Sequence, residues 1–357
     1  MQTKQSFSMK SLPKFSTLAT GALLLLCGNS TAQIDPFKKD TTDAVRPGGA
    51  QPFTAETFRE IADRATPGVL GVAVYDFQTG SLQGVNMSRP FPSMSVFKAF
   101  LAAEVLSQVD AGQLSLDKKI TLAPEDLRDG LGSIDGSGGG TFTLQELLRA
   151  ALIESDNSAA DALLRLSGGP EKLTAWLRDK GLRGIRSDRD LRTQGREQSG
   201  IPPKLSPGRN ASTLRNEVEE ENRRAAFEAA QTDPRDTATP EGAVRFLIAL
   251  KKGELLSAAS TDRLLGWLGE VKTGQGRLKA GFASQTALAH KTGTSSTYEG
   301  VTLATNDIGL ATLPDGRSLA IAVFLGNAQG TDEARSALIA ACARVGSKPS
   351  ATRESNP

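Results

Sequence analysis

The sequence predicts an α/β protein in which helices flank one antiparallel sheet built from both chain ends, with an all-α lobe inserted between them. Two observations predict this class. Strand patterns occur towards each end of the chain, at residues 68–87 and 307–327. The residues between them place apolar side chains at helical spacing. We therefore expect a cleft between sheet and lobe, where a binding site would form.

The first strands of the predicted sheet follow a short helix. Residues 54–65 have a helical pattern. The run GVLGVAVYDF at 68–77 is typical of a buried strand, and residues 78–80 (QTG) then turn the chain into a second strand near 81–87.

The helical block begins with a mostly buried helix over residues 94–109. Its apolar side chains recur at helical spacing: Phe97, Phe100, Leu101 and Val105. Thr143 and Glu146 form a capping box for a helix that ends in LLRAALI. Two more helices are predicted around 158–166 and 170–179.

The last elements are a hairpin and a helix. DIGLATLP at 307–314 and SLAIAVFLGN at 318–327 flank an Asp315-Gly316 turn, the pattern of two antiparallel strands. A C-terminal helix is expected after Thr331, which is suited to cap it.

The N-terminus is typical of a secretory signal peptide. Its basic residues, Lys4, Lys10 and Lys14, precede a short apolar run, STLATGALLLLCG, and small residues follow at 30–32. We expect cleavage there and a periplasmic or secreted mature protein, with an uncleaved anchor as the alternative. The predicted segments are a signal peptide at 1–32, a flexible leader at 33–53, a catalytic domain at 54–346 and a disordered tail at 347–357. Within the domain we expect sheet parts at about 54–90 and 288–346, a helical lobe at about 91–287 and an enlarged loop at about 186–236.

Composition excludes several classes of function. Loss of the three signal-peptide lysines changes the formal net charge from +2 to −1, so the mature protein has no electrostatic footprint for nucleic acid. Only Cys342 would remain, which excludes an internal disulfide. A single histidine, His290, cannot build a histidine-rich metal site. We expect no metal or other cofactor, no membrane association after cleavage, and a monomer.

The stretch FPSMSVFKAFLAAEVL places Ser95 one helical turn before Lys98, so both side chains share one face of the predicted helix. A serine at a helix N-terminus has backbone N–H groups aimed at a developing oxyanion, and a buried neutral lysine can act as its base. The same spacing occurs twice more, at Ser11/Lys14 and Ser115/Lys118. Taken alone, the motif is more typical of a capped core helix.

Two further motifs change that interpretation. Ser155-Asp156-Asn157 follows the capped helix, and Lys291-Thr292-Gly293-Thr294 precedes the C-terminal hairpin on a predicted strand. Another Lys-Thr-Gly, at 272–274, ends the helical run TDRLLGWLGEV, where a glycine is an ordinary C-terminal cap. Ser-x-x-Lys, Ser-Asp-Asn and Lys-Thr-Gly in this order form the motif set of class A β-lactamases and penicillin-binding proteins.

The chain resembles a class A β-lactamase from about Phe53 to Gly346. Further blocks carry the resemblance in the family's order: SDNSAADALL, GGPEKLTAWLRDKG, PRDTATP and the hairpin ending in PDG. The resemblance implies the β-lactamase/transpeptidase-like fold. It also implies hydrolysis of the β-lactam amide bond through an acyl-enzyme, an activity that confers β-lactam resistance, with a small-molecule β-lactam as the substrate.

Carried over by motif, the resemblance implies that Ser95 is the acylated nucleophile and Lys98 its proton partner. Ser155 would pass a proton to the departing lactam nitrogen, and Asn157 would hydrogen-bond the side-chain amide of the substrate. Asp156 is expected to brace the lobe.

The resemblance also implies a site for the substrate carboxylate on Lys291, Thr292 and Thr294, with Gly293 between them. The backbone N–H groups of Ser95 and Thr294 would form the oxyanion hole. Arg277 matches a position where some family members carry an arginine that supports carboxylate binding, and a solvated loop arginine is the alternative. His290 should point to the opposite face of the strand and be structural.

One departure concerns the loop below Ser95, where the family carries Arg-x-Glu-x-x-Leu-Asn and the glutamate activates the deacylating water. The best match in this chain is GIRSDRDLRTQGREQ. If Arg189 is the arginine of the signature, Leu191 occupies the position of the glutamate and Gly195 the position of the asparagine. Arg189 could still pair with Asp236 across 46 intervening residues. The charged segment within them is expected to be a solvated helix with i,i+4 pairs Glu219/Arg223 and Glu220/Arg224.

This departure leaves two hypotheses for deacylation. Either the enlarged loop supplies a substitute base, with Glu197 the nearest candidate and Asp190 the next, or deacylation is slow and lacks a base. Two other functions stay open for the same reason: a D-Ala-D-Ala peptidase and a protein that binds β-lactams without hydrolysing them.

Overall fold

A computed structural model of the chain describes residues 54–202, 214 and 217–348. Several predicted segments lie outside the described residues: the signal peptide at 1–32, the leader at 33–53 and the tail from residue 349 onwards. Within the described part, no helix is both long enough and apolar enough to cross a membrane.

The described chain alternates helices and strands. The helices are α1 (Ala55–Asp63), α2 (Phe97–Asp110), α3 (Leu144–Arg149), α4 (Asn157–Ser167), α5 (Pro170–Asp179), α6 (Leu191–Gln198), α7 (Glu220–Ala230), α8 (Pro240–Lys251), α9 (Ala258–Gly269), α10 (Leu278–Gly281) and α11 (Asp332–Gly346). The strands are β1 (Val69–Asp76), β2 (Leu82–Val85), β3 (Phe91–Pro92), β4 (Lys119–Leu122), β5 (Gly140–Thr143), β6 (Thr237–Ala238), β7 (Ala287–Thr294), β8 (Thr297–Tyr298), β9 (Val301–Thr312) and β10 (Ser318–Ala328).

The main sheet is antiparallel and joins both ends of the domain, as predicted. Its strand order is β2-β1-β10-β9-β7, and β8 also pairs with β9. The N-terminal strand β1 runs beside β10, with Val69 opposite Gly326 and Asp76 opposite Leu319. Strand β7 pairs with β9 so that Lys291 lies opposite Ile308. The strand that carries Lys291 is therefore one of the two edge strands of this five-strand order.

Helices α1 and α11 cover one face of the sheet. Apolar side chains from these helices and from the strands form a continuous buried core: Phe58, Ile61, Val72, Val74, Ile321, Val323 and Ile339 are examples. Burial of each such side chain contributes about 1.5–3 kcal/mol. The terminal helices are therefore part of the platform that holds β7.

Three predicted elements differ in detail from the structure. The helix expected over 94–109 begins with a 3-10 turn at Met94–Val96 before α2. The capping box of Thr143 and Glu146 is present, but α3 ends at Arg149 and the chain continues as a π turn, Ala150–Glu154. Strand β9 begins at Val301 rather than near 307, because its first half pairs with β7 and β8 as well as β10.

The opposite face of the sheet is covered by α8. Strand β1 lies so close to the start of this helix that a Cβ on Gly71 would meet Pro240 Cγ at 2.9 Å. The ring of Phe246 in α8 packs edge-on against Phe100 of α2, with centroids 4.8 Å apart. Helix α8 falls within residues 91–287, where the lobe was expected, yet it packs on the sheet and also contacts α2.

Candidate active site

Ser95 lines a cleft of about 340 Å³ and lies on the 3-10 turn that leads into α2. The preceding residue, Met94, has φ +47°, a conformation that a side chain makes unfavourable. Strand β7 approaches this turn so closely that a Cβ on Gly293 would lie 2.6 Å from Ser93 O. Glycine at 293 therefore allows the strand to pack against the turn that carries Ser95.

Lys98 is fully buried one turn after Ser95. Its Nζ donates to Ser155 O at 2.5 Å, Asn157 Oδ1 at 2.8 Å and Ser155 Oγ at 3.4 Å. Among the described residues, these are its acceptors, and Ser95 is not one of them. Burial lowers the pKa of Lys98 to about 8, although nearby aspartates, first Asp135, oppose the shift. A substantial neutral fraction is therefore available near pH 8.

Ser155 projects from a distorted helix end. After the π turn its backbone is left-handed, with φ +62°, which is uncommon for a residue other than glycine. Its Oγ accepts a hydrogen bond from Lys98 and another from Lys291 Nζ at 2.9 Å. One hydroxyl thus lies between two buried amines. This position suits a group that relays a proton.

The other two residues of the Ser-Asp-Asn motif have different surroundings. Asp156 is fully buried and accepts from the N–H groups of Ile134, Asp135 and Ala159, each at 2.8 Å, so it braces the lobe as expected. Asn157 accepts from Lys98 and donates through Nδ2 to Asp129 O at 2.6 Å. It is also among the residues that line the cleft.

Lys291 is fully buried on β7. Its Nζ donates to Ser155 Oγ and to Thr292 O at 3.0 Å. Burial, and then the charge of Lys98, lower the pKa of Lys291 well below its usual value, while Asp307 opposes the shift. An anion bound beside Lys291 would therefore stabilise its charged form.

The second Lys-Thr-Gly motif touches the first through a threonine. Thr292 Oγ1 lies 2.6 Å from Thr273 Oγ1 and is not among the described residues that line the cleft. Lys272, in contrast, is 69% exposed at its side chain and lies 3.5 Å from Glu154. The two lysines therefore have opposite environments.

Arg277 is a buried residue of the site rather than a solvated loop arginine. Its guanidinium donates to Thr294 Oγ1 at 2.8 Å, Asn306 O at 3.0 Å and Gly293 O at 3.3 Å. Thr294 is exposed and lines the cleft. Arg277 therefore fixes the end of β7 and orients the Thr294 hydroxyl.

His290 lies on β7 next to Lys291 but takes part in a different buried contact. Its Nδ1 is 3.0 Å from Asp307 Oδ1, and both side chains are buried. Leu278 N also donates to the Asp307 carboxylate, at 3.2 Å. This arrangement supports the expectation of a structural role for the histidine.

The enlarged loop is closed by the expected ion pair. Arg189 Nε contacts Asp236 Oδ2 at 2.6 Å, and both side chains are buried. Leu191 begins α6 and lines the cleft with Ser95. Asp190 caps this helix by accepting from Thr193 N at 2.7 Å. Glu197 contacts Arg189 and lies 2.9 Å from Arg235; its side chain is 44% exposed and is not among the described residues that line the cleft.

Several residues that line the cleft were not recognised in the sequence: Arg192, Gln194, Arg196, Phe227 and Tyr298. They come from the enlarged loop and from the strand after the Lys-Thr-Gly-Thr motif. The apolar Phe227 within a charged helix was the one signal that this helix has a packed face. In the described part of the chain, no cluster of three or more His, Cys, Asp or Glu side chains is arranged to hold a metal ion.

Comparison with known proteins places these observations in one family. Residues 54–347 match a family model described as the β-lactamase enzyme family. One curated relative is β-lactamase VEB-1 of Pseudomonas aeruginosa, which is 30% identical over 77% of this chain and 83% of its own length. Another is β-lactamase L2 of Stenotrophomonas maltophilia, which is 32% identical over 68% of this chain and 70% of its own length.

Solved structures show the same similarity. An ancestral class A β-lactamase superposes with a TM-score of 0.68, at 35% identity, and covers 83% of this chain and 98% of its own. A β-lactamase from Chitinophaga pinensis superposes with a TM-score of 0.67, at 31% identity, over 81% and 96% of the two chains.

Proposed function

The chain belongs to the class A β-lactamase family, and we propose that it hydrolyses the amide bond of β-lactams through an acyl-enzyme on Ser95. One observation supports this most strongly. Lys98 and Lys291, each fully buried, converge on the Ser155 hydroxyl, and Lys98 also contacts Asn157, which lines the cleft together with Ser95. Such an arrangement can move a proton from a nucleophile to a leaving group within one enclosed network.

In the proposed acylation step, Ser95 Oγ bonds to the lactam carbonyl carbon and its proton passes to neutral Lys98. The carbonyl electrons move onto oxygen, which the N–H groups of Ser95 and Thr294 would stabilise. As the carbonyl re-forms, the C–N bond breaks and the nitrogen takes the proton of Ser155. The proton held by Lys98 then returns to Ser155 along their hydrogen bond.

The substrate carboxylate is proposed to bind Lys291 and Thr294, with Arg277 holding the threonine hydroxyl in place. The Thr292 hydroxyl contacts Thr273. We therefore propose that Thr292 contributes to the carboxylate site through its backbone and not through its hydroxyl. Asn157 would hydrogen-bond the amide of the acyl side chain, as its position on the cleft allows.

Deacylation is the step in which this chain is proposed to differ from its family. Leu191 lines the cleft where the family signature carries its glutamate. The substitute bases considered from the sequence are engaged elsewhere: Asp190 caps α6, and Glu197 contacts two arginines. These contacts favour slow deacylation without a dedicated carboxylate base over a substitute base.

The test is to mix the purified protein with a chromogenic cephalosporin and to record both turnover and intact mass. Multiple turnovers with a transient adduct support the β-lactamase. A persistent adduct supports the non-hydrolysing binder or the D-Ala-D-Ala peptidase, and release of D-alanine from a D-Ala-D-Ala peptide would identify the latter.

The serine variant supplies the control. Ser95→Ala is expected to lose turnover and adduct together, because only the nucleophilic oxygen is removed. The 3-10 turn carries no side-chain cap from this serine, so the fold should persist, as circular dichroism would show. An adduct on Ser95→Ala would contradict the assignment of the nucleophile.

We further propose that the protein acts after export, in the periplasm or outside the cell, and as a monomer. The signal-like residues at 1–32 support export. Detection of mature protein beginning near residue 33 in a periplasmic extract would test the first point, and light scattering the second.

A further inference from the structure

The enlarged loop forms one wall of the cleft through α7. Phe227 packs its ring against Tyr298, with centroids 5.1 Å apart, and buries itself against Leu303. Arg224 bridges to Glu299 at 2.6 Å, and Tyr298 donates to Glu220. The ion pair expected between Glu220 and Arg224 is therefore replaced by contacts with the β8–β9 turn. The helix is anchored to the sheet and is not the solvated surface helix that its charges predict.

This wall gives the cleft an apolar, aromatic side. Phe227, Tyr298 and Leu303 line the cleft together with Thr294, which lies at the end of β7. Aromatic side chains offer a large surface on which another ring can stack.

The same cleft is rich in positive charge. Among its described lining residues there are four arginines, Arg128, Arg192, Arg196 and Arg223, against one acid, Asp129. Arg128 contacts buried Asp161 at 2.5 Å, and Arg223 contacts Glu220.

Arg192 differs from these two arginines. Among the described residues its guanidinium donates to main-chain carbonyls, Glu125 O and Leu127 O, and forms no ion pair. Burial, and then repulsion by Arg128, lower the pKa of Arg192; Arg196, one turn along α6, repels it as well, while Asp161 and Asp190 oppose the shift. A bound anion would relieve this repulsion between neighbouring cations.

We propose that the aromatic wall, together with Arg192 and Arg196 of α6, forms a subsite for the acyl side chain of the substrate and favours β-lactams whose side chain carries both an aromatic ring and a carboxylate. The ring would pack on Phe227 and Tyr298, and the carboxylate would bind Arg192 and Arg196. This assignment rests on the proposed β-lactamase activity and gives the enlarged loop a role in substrate selection.

The test compares benzylpenicillin with its α-carboxy counterpart, two substrates that differ only in a side-chain carboxylate. For the wild type, kcat/KM should be about tenfold higher for the carboxylated penicillin, mainly through KM, since one charge-assisted contact is gained. Arg192→Gln should reduce this ratio to about one, and Arg178→Gln, on the exposed end of α5, should leave the ratio unchanged. A wild-type ratio at or below one, or a ratio retained in Arg192→Gln, would overturn the proposal.

A binding measurement separates this proposal from the catalytic one. Calorimetric titration of Ser95→Ala with both penicillins should show the same preference, again lost when Arg192→Gln is added. If this preference is present while the wild type turns over neither penicillin, the subsite stands and the proposed hydrolysis fails. Equal affinities in Ser95→Ala would overturn the subsite even if hydrolysis is confirmed.

Discussion

At the scale of single residues, the Ser155 hydroxyl has the most unusual surroundings in the site. It accepts from Lys98 and Lys291, both of which are fully buried. Two ammonium groups so close together would repel one another, and burial further disfavours their charge. The network therefore favours a state in which one of the amines is neutral and can accept a proton.

The pH dependence of acylation follows from this neutral amine. With a pKa of about 8 for Lys98, the base form becomes populated as the pH rises through that value. At saturating substrate, where the bound carboxylate stabilises charged Lys291, we expect the acylation rate, measured by stopped flow in a single turnover, to rise with pH and to level off above about pH 9. A rate that falls over the same range would contradict the role of Lys98 as the base.

The same shift has a consequence for folding. Because the folded state holds the Lys98 proton less tightly than the unfolded chain, whose lysine titrates near 10.5, the contribution of Lys98 to stability grows between about pH 8 and that value. The contributions of Lys98 to acylation and to stability therefore both increase as the pH rises above about 8.

Leu191 is the residue that we expect to limit turnover. It lies at the start of α6 on the cleft, so Leu191→Glu would place a carboxylate beside the acyl-enzyme. We expect deacylation to become about tenfold or more faster, within the range that general bases provide. Leu191→Gln is the matched control, because glutamine has the shape of glutamate but cannot act as a base. Stopped-flow kinetics should show no increase in its deacylation rate.

Two results would contradict this interpretation of the loop. One is an equal gain for the glutamate and glutamine variants. The other is the absence of an acyl-enzyme burst in the wild type, which would show that deacylation does not limit turnover. A loss of turnover in Glu197→Gln or Asp190→Asn would instead identify that residue as a substitute base.

At the scale of elements, the same three-residue motif has two outcomes. Lys291 lies on β7, whose pairing with β9 and packing against the 3-10 turn bury the ammonium group. Lys272 follows α9, and its side chain stays exposed. The flanking element, and not the motif itself, decides whether the lysine is buried or exposed.

This contrast predicts a matched pair of variants. Lys291→Ala should lower kcat/KM for carboxylate-bearing substrates by about 10–100-fold, because a charge-assisted contact present in both ground and transition states is lost. Lys272→Ala should change kcat/KM by less than about twofold, since it removes an exposed contact. Steady-state kinetics would check both, and equal losses would mean that the wrong motif has been assigned.

At the scale of the whole molecule, β10 connects the two chain ends. It lies between β1 and β9, and its Phe324 is fully buried and stacks on Phe91 with centroids 5.9 Å apart. Phe91 in turn begins the segment that leads to Ser95. The sheet core and the turn that carries Ser95 are therefore parts of one packed unit.

Truncation of this core residue should destabilise the entire domain. Phe324→Ala is expected to lower the free energy of unfolding by about 3–5 kcal/mol, through lost burial and the cavity that remains. Leu131→Ala removes a fully exposed leucine and should change the free energy of unfolding by less than about 0.5 kcal/mol. Urea denaturation would measure both, and similar values would show that β10 is not central to stability.

The sequence alone determined the fold class, the motif order, the long strands of the main sheet and most helix positions. These features are local: apolar periodicity, a capping box at Thr143 and short motifs are set by neighbours in the chain. The sequence also predicted the Arg189–Asp236 ion pair, because each end of the loop carries a segment that resembles the family: the signature around Arg189 and the block PRDTATP around Asp236. The motif set was specific enough to identify the family before any contact was known.

Only the tertiary structure decided how far each charged side chain is removed from water and which partner it meets. Lys98 on α2 and Lys291 on β7 both contact the Ser155 hydroxyl. Each lysine is buried there, and burial lowers the pKa of each. Helix α7 carries the charge pattern of a solvated helix, yet Phe227 packs it against Tyr298. Burial and electrostatics depend on atoms distant in the chain, so local patterns cannot determine them.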